Sequence, residues 1–351
     1  MPEQHHQATP SPLVGVSYVM PVLNDASHVR QAVESILAQD YDGPVEVLIA
    51  LGPSIDGTAE LVADLAERDA RVRVLDNEAG STPAGLNLGI RTAVHPVIVR
   101  VDSHSMLPAE YTRIAVDVLD RTGADNVGGI MDAQGITPFQ QAVALAYTTK
   151  VGLGGGSFHV GGEAGPADTV YLGVFRREAL LRVGLFDERI KRGQDWELNR
   201  RLRAAGGLVW FTPELAVTYR PRASLERLAR QMFSTGLWRG ELARSFPGAS
   251  GIRYFVPPAM VVGVFAGLVL GIAGLVQAAV GATPWLLLGF AIPAVYLVFV
   301  ILATLVYARG HGVRTALWFL VVLPCIHVFW GAGFVPGYLS LTSNIAQHTG
   351  R

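Results

Sequence analysis

Apolar positions along the chain follow two regimes. From Gly15 to about Tyr219, short apolar runs alternate with stretches of helical period. "GVSYVMPV" (Gly15–Val22) is a nearly continuous apolar run, the pattern of a strand buried on both faces. Ser27–Gln39 then has the spacing of an amphipathic helix, with Ser27 in place as its N-cap. "VEVLIAL" (Val45–Leu51), "RVRVLD" (Arg71–Asp76) and "PVIVRVD" (Pro96–Asp102) predict three further strands. Thr58–Arg68 and Pro83–Ala93 predict the helices between them. Strands and helices that alternate at this spacing imply an α/β domain with a mainly parallel, doubly wound sheet. In such sheets ligands bind beyond the carboxyl ends of the strands.

The second regime is continuous. Phe255–Val280, Pro284–Tyr307 and Val313–Val335 are each close to the roughly 20 apolar residues that cross a bilayer. The last acidic residue of the chain is Glu241, and the only basic ones after Phe255 are Arg309, Arg314 and Arg351. The loop Ala308–Arg314 carries two arginines, whereas Gln277–Pro284 carries no charge. The excess of positive charge in cytoplasmic loops then puts the arginine loop and the N-terminal domain on the cytoplasmic side. The third stretch, with Pro324, Gly331, Gly333 and Pro336, is compatible with a span or a re-entrant segment. Ahead of the first stretch, Leu225, Leu228, Met232 and Phe233 recur at helical spacing, which fits an interfacial helix. The expected organisation is a disordered start (1–13), an α/β domain (14–221), amphipathic interfacial helices (222–250), about three membrane helices (255–337) and a tail (338–351).

Composition narrows the function classes. A formal net charge of −1 gives no footprint for nucleic acid. Cys325 is the only cysteine, so an intramolecular disulfide and a cysteine zinc cluster are both excluded. The polar start, Met1 to Pro12, lacks the pattern of a signal peptide, in line with a cytoplasmic N-terminal domain in an inner or plasma membrane protein.

The chemistry begins where a buried strand stops. In "VIVRVDSHSM" (Val97–Met106) an apolar run meets Asp102, and His104 follows two residues later. A turn is one reading, since Asp and Ser favour turns. A metal site is the other, since a carboxylate and an imidazole together hold a divalent ion. The predicted place of the pair, at the carboxyl end of the fourth strand, favours the metal. The glycines of Leu153–Leu180 predict a loop, a common element over substrate sites. Asp195, Leu198 and Leu202 recur at helical spacing, so Asp195 opens a helix. Local pattern alone leaves it as a helix-dipole partner.

Several ordered motifs together resemble glycosyltransferase family 2 of the GT-A type, in its exopolysaccharide, ExoA-like branch. They are "VMPVLNDASHVRQAVESILAQ", "SIDGT" (Ser54–Thr58), "GLNLGI" (Gly85–Ile90), "RVDSHS" (Arg100–Ser105), "GLFDERIKRGQDWELNRRLRAAGG" and "RQMFSTGLWRG" (Arg230–Gly240). The resemblance covers about residues 14–245, and the trailing apolar spans suit it.

The resemblance implies roles for particular residues. Asp102 and His104 stand at the DxD metal motif, with His104 in place of its second carboxylate. An imidazole suits Mn²⁺ better than Mg²⁺. Asp195 stands at the general base, and Gln194 where many members carry Glu. Pro21, Asn24, Asp56, Asn87 and Arg100 stand around the donor nucleotide. Leu51 and Gly52 occupy the places where the family often has carboxylates that read uracil and ribose. Gln231, Trp238 and Arg239 form a loosened version of the QxxRW motif, which contacts the acceptor end and the diphosphate. The implied activity is inverting transfer from a nucleotide sugar, a UDP-sugar, to a polyprenyl-linked saccharide at the membrane. A polyprenyl-phosphate sugar synthase and a non-catalytic membrane scaffold are the alternatives at this point.

Overall fold

The computed structural model describes residues 13–154, 156–248 and 250–341. The disordered start lies outside these residues but for Leu13, and the tail but for Tyr338–Leu341. The elements run in the order β1 (Val16–Val22), α1 (Val29–Leu37), β2 (Val45–Leu51), α2 (Thr58–Arg68), β3 (Val72–Asp76), α3 (Thr82–Thr92), β4 (Val97–Arg100), α4 (Tyr111–Thr122), β5 (Asn126–Ala133) and α5 (Pro138–Tyr147). The short α6 (Ser157–Val160) and β6 (Gly165–Pro166) follow, then β7 (Tyr171–Arg176), α7 (Arg177–Arg182), α8 (Gln194–Ala204) and β8 (Val209–Tyr219). The chain ends in α9 (Leu225–Ser245), α10 (Val256–Ala279), α11 (Ala291–Tyr307) and α12 (Val313–Tyr338).

The chain divides into two compact units. The first comprises residues up to Gly129, Glu163–Arg189 and Gln194–Val217. The second comprises Ile130–Gly162, Ile190–Gly193 and Thr218 onward.

In the first unit the strands lie in the order β3-β2-β1-β4-β7-β5-β8-β6. β3, β2, β1 and β4 are parallel, as the alternation of strands and helices predicts. β7 then pairs antiparallel with both β4 and β5, and β6 antiparallel with β8. The core lies between β1, β2 and β4 and the inward faces of α1, α2 and α4, with Tyr18, Val47 and Val99 fully buried. The chain leaves β1 for β2 on one side, and β4 lies on the other. This reversal opens a crevice beyond the carboxyl ends of β1 and β4. Two local expectations change. α1 begins at Val29 with His28 as its N-cap, because the Ser27 hydroxyl bonds the His28 ring (2.9 Å) and caps no backbone amide. β4 ends at Arg100, so Asp102 and His104 sit in the loop beyond it.

The second unit is helical. Among the described residues, three helices are long and apolar enough to cross a membrane: Ile252–Ala279, Trp285–Tyr307 and Val313–Tyr338. The third is continuous through Pro324 and Pro336. α5 belongs with this unit, because Phe139 packs edge-on against Trp318 (5.2 Å) and Gln141 accepts a hydrogen bond from Thr315 (2.9 Å). α9 lies along α12 at backbone contact. "GLWRG" (Gly236–Gly240) in α9 faces "GFVPG" (Gly333–Gly337) in α12. A Cβ on Gly236 would lie 2.0 Å from the Trp330 carbonyl oxygen, and one on Gly240 2.2 Å from that of Phe334. In return, a Cβ on Gly333 would lie 2.2 Å from the Phe233 carbonyl, and one on Gly337 2.1 Å from that of Leu237. Small residues four apart on both helices are what this close approach requires.

Gly236→Leu is therefore expected to destabilise the helix pair by roughly 1–3 kcal/mol or more, the range for overpacking a closed contact. The readout is the melting temperature in detergent. A value equal to the parent's would show that α9 and α12 do not touch at Gly236.

Candidate active site

The site is built on the loops that follow β1, β2 and β4. Asn24 and Asp56 tie the first two together. Asn24 adopts a left-handed backbone (φ 50°), and its side-chain oxygen accepts from the Ile55 amide (2.8 Å). Its own amide donates to Ser54 Oγ (3.0 Å). Asp56 accepts from the Ala26 amide (3.1 Å) and from Thr58 (2.5 Å), and the Thr58 hydrogen bond holds its carboxyl below the ordinary range. Asp56 is exposed, whereas Pro21 is buried within β1.

Asp25 is the residue that the sequence reading missed. It accepts hydrogen bonds from Ser103 Oγ (2.5 Å) and His28 Nδ1 (2.7 Å), and the His104 ring lies 3.7 Å away. Burial alone would raise its carboxyl. The hydrogen bonds from His104, Ser103 and His28 outweigh that and hold it well below the usual carboxylate range. Asp25 thus pins the loop after β4 to the loop after β1. In sequence it stands between Asn24 and Ala26 in a polar stretch, where an aspartate reads as a turn residue. The only available signal was its place just beyond a buried strand.

The loop after β4 is itself a turn, with the Ser105 amide on the Asp102 carbonyl (2.9 Å). The Asp102 and His104 side chains have different neighbours in it. His104 faces Asp25, whereas the Asp102 carboxylate accepts from Arg100 Nη2 (3.0 Å). The other end of the same guanidinium pairs with Asp195. Arg100 is 6% exposed. Burial would lower its pKa, but Asp195 and Asp102 together raise it above the ordinary arginine value, so it is a permanent cation. One buried guanidinium therefore holds two acidic side chains, from the end of β4 and the first turn of α8.

The approach to α8 is fixed from α3. Asn87 is 2% exposed and exchanges hydrogen bonds with the Phe186 backbone in both directions (2.9 Å each). It also donates to Glu188 (2.8 Å). With both amide groups so used, Asn87 acts on the site through the segment leading into α8. Within α8, Arg201 braces Glu197 (2.7 Å) and the Leu185 carbonyl (2.7 Å). Gln194 is buried at the start of the helix, and Asp195 is partly exposed beside it.

Gln231, Trp238 and Arg239 belong to the second unit. Gln231, Thr235 and Arg239 are spaced i, i+4, i+8 on α9 and line one cavity. Trp238 is buried and does not line it. The long spacing of the motif thus keeps its Gln and Arg on one helix face and turns its Trp away.

Among the described residues, no three His, Cys, Asp or Glu side chains converge as a metal cluster. Asp102 and His104 supply at most two protein ligands. Their chemistry, one carboxylate and one imidazole, nonetheless fits a divalent ion that takes its other ligands from phosphate oxygens and water.

The comparisons agree with this architecture. The profile of glycosyl transferase family 2 matches residues 17–184. The succinoglycan biosynthesis protein ExoA of Rhizobium meliloti is 30% identical over 330 residues, which covers 93% of this chain and 96% of the relative. A dolichyl N-acetyl-glucosaminyl phosphate diacetamido-dideoxy-glucuronosyltransferase of Methanococcus voltae is 24% identical over 65% of this chain and 74% of its own length. Among solved structures, the mannosyltransferase PcManGT from Pyrobaculum calidifontis, in complex with GDP-mannose and Mn²⁺, superposes with a TM-score of 0.61. That match covers 93% of this chain and 88% of the other at 17% identity, which is a likeness of fold.

Arg100→Gln removes the shared cation and leaves both carboxylates without it. A loss of ~1–3 kcal/mol is expected, discounted because Asp195 is partly solvated. Thermal unfolding with and without a donor analogue would measure it. No change in melting temperature would mean that the pairing contributes nothing.

Proposed function

The chain belongs to glycosyltransferase family 2, in its ExoA-like branch with the GT-A fold, and on that premise we propose that it is an inverting, metal-dependent, membrane-anchored enzyme. It moves a hexose from a nucleotide-diphosphate donor, a UDP-sugar, to a hydroxyl of a polyprenyl-linked saccharide. The setting is exopolysaccharide or cell-envelope biosynthesis. The observation that carries the reading is the cluster Asp102–Arg100–Asp195. It brings the residue at the family's metal motif and the residue at its general base to one guanidinium, beyond the carboxyl end of β4.

Each residue answers a chemical need. An acceptor hydroxyl is a weak nucleophile, and Asp195 takes its proton as the new bond forms, a contribution of roughly 10²–10⁴-fold. One base on the face opposite the leaving group gives direct displacement, hence inversion at the anomeric carbon. Asp102 and His104 would hold a divalent ion, Mn²⁺ in preference to Mg²⁺ because one ligand is an imidazole. When bound, such an ion neutralises charge on the departing nucleotide. Asn24 and Asp56 shape the donor side by joining the loops after β1 and β2. Arg100 pairs with both carboxylates and fixes their positions.

The acceptor assignment rests on the apolar helices and on the relatives, whose names include succinoglycan biosynthesis and transfer to a dolichyl-linked sugar. Arg309 in the α11–α12 connection and Arg314 in the first turn of α12 support a multi-pass protein with its catalytic domain in the cytoplasm.

A screen of nucleotide sugars against the purified full chain in detergent, read as Mn²⁺-dependent nucleotide release, tests the donor class. Asp195→Asn should leave donor binding nearly unchanged and lower transfer to a hydroxyl acceptor by roughly 10²-fold, in kcat more than in KM. Near-normal transfer would remove Asp195 as the base and favour a phosphate acceptor, which needs none. His104→Ala should abolish most of the Mn²⁺ enhancement of donor-analogue binding while leaving the melting temperature close to the parent's. Equal enhancement in mutant and parent would take His104 out of the metal site.

A further inference from the structure

The second unit contains a cavity of about 1040 Å³. That is the upper end of the roughly 300–1,000 Å³ typical of small-molecule sites. Most of its wall is apolar and comes from the membrane helices, with Met260 on α10, Val295 and Phe299 on α11, and Trp330 on α12. The rest is cationic. Lys150, Arg239 and Arg253 line it, and no Asp or Glu is among the described lining residues.

The two arginines are brought close together. The Arg239 guanidinium lies 4.3 Å from the centre of the Tyr254 ring, and that of Arg253 lies 4.9 Å from the same ring. Burial, with Arg253 nearby, lowers the Arg239 pKa, yet an arginine stays charged at any physiological pH. Two guanidinium groups at one aromatic ring concentrate positive charge on that part of the wall. The His159 ring adds a polar group at the same wall. Burial pushes it down to about 4, so it is neutral near pH 7, and its buried Nδ1 has no hydrogen-bond partner among the described residues. The wall is also held firmly. His327 in α12 donates from Nε2 to the Val151 carbonyl (2.6 Å), which leaves Nδ1 to accept from Tyr296 (3.1 Å).

We propose that this cavity binds a polyprenyl diphosphate, with the diphosphate against Arg239, Arg253 and Lys150 and the first isoprene units along α10, α11 and α12. The assignment rests on the reading of a polyprenyl-linked acceptor and gives that acceptor's lipid end a place. A cluster of cations calls for a multiply charged anion. An apolar wall made by membrane helices calls for a hydrocarbon chain joined to it. A nucleotide has no such chain, and a phospholipid carries one phosphate where three cations line the wall.

The test uses the full chain in detergent and farnesyl diphosphate carrying a photoreactive terminus, with farnesol, inorganic diphosphate and phosphatidylglycerol as competitors. Two variants address the two halves of the cavity. Arg239→Ala removes the central cation. Gly263→Leu fills the apolar part, since a Cβ there meets only Ile292 Cγ2 at 3.8 Å, an ordinary contact that the helix tolerates. Each should weaken farnesyl diphosphate labelling by about tenfold or more, which for Arg239→Ala is the scale of one charge-assisted contact, and Gly263→Leu should bind nucleotide sugar as the parent does. Labelled peptides should come from α10, α11 and α12. Labelling that is equal in parent and both variants overturns the proposal. So does competition by farnesol or phosphatidylglycerol as strong as by unlabelled farnesyl diphosphate. Binding without any transfer to a polyprenyl-linked saccharide would instead remove the acceptor reading and leave the cavity assignment intact. Transfer to that acceptor at the parental rate by both variants, with labelling also unchanged, would remove the cavity and leave the acceptor reading.

Discussion

Arg100 is the residue on which the candidate site turns. Its side chain is buried at the end of β4, and one guanidinium serves Asp102 and Asp195 at once. Taking a cation out of water is costly unless opposite charges are placed to receive it. The two carboxylates meet that need, and in doing so they fix two distant segments, the loop after β4 and the first turn of α8. Asp25 does the converse a few residues away: one carboxylate collects Ser103, His28 and the His104 ring. The loops at the switch point are therefore held by charge-assisted contacts, each with one residue at its centre. Hydrogen bonds to ionised groups are short and strong enough to hold loops that have no apolar core of their own.

This arrangement decides what was legible in the sequence. The parallel half of the sheet was, because β1, β2 and β4 are buried on both faces and read as apolar runs, with helices of clear period between them. The antiparallel half was not. β6 has only two residues, and β5 contains Gly128 and Gly129, where a Cβ would collide with the Tyr171 and Leu215 carbonyls. Neither carries an alternation to read. At the site, the strand end before Asp102 and His104 and the helix start at Asp195 were legible, and the contacts between them were not. Nothing in "VRVDSHS" says that Arg100 will turn back to hold Asp102, or that His104 will face Asp25. The contacts to Asp195 and Asp25 join positions far apart in the chain, and no local spacing encodes them. Asn87 shows the same limit. Its motif placed it beside the nucleotide, whereas its amide is spent on the backbone that leads into α8.

The second unit shows how one helix divides its faces. On α9, Gly236 and Gly240 meet α12, while Gln231, Thr235 and Arg239 face the cavity. The two sets interleave because each repeats near the helical period on a different side. Periodicity of apolar residues alone suggested an interfacial helix, since glycines carry no hydropathy signal. The glycine pair becomes informative only beside its counterpart in α12, Gly333 and Gly337, nearly a hundred residues later. Glycines four apart on both helices let the two backbones approach more closely than larger side chains would allow.

That packing bears on the chemistry of the cavity. Had α9 met α12 through large side chains, the helix axes would stand further apart, and the face bearing Gln231 and Arg239 would shift with them. Glycine contact fixes the depth and rotation of α9, and therefore where the Arg239 charge sits against the Tyr254 ring. The membrane helices contribute in a second way, since the apolar wall beside that charge is made of their residues. An anion held there exchanges water for cations on one side and hydrocarbon on the other. In hydrocarbon a charge is costly, so the phosphate is confined to the cationic end, and a chain attached to it is directed along the helices. Position and orientation of an amphiphile thus follow from the same two features, a fixed cation and an apolar wall next to it.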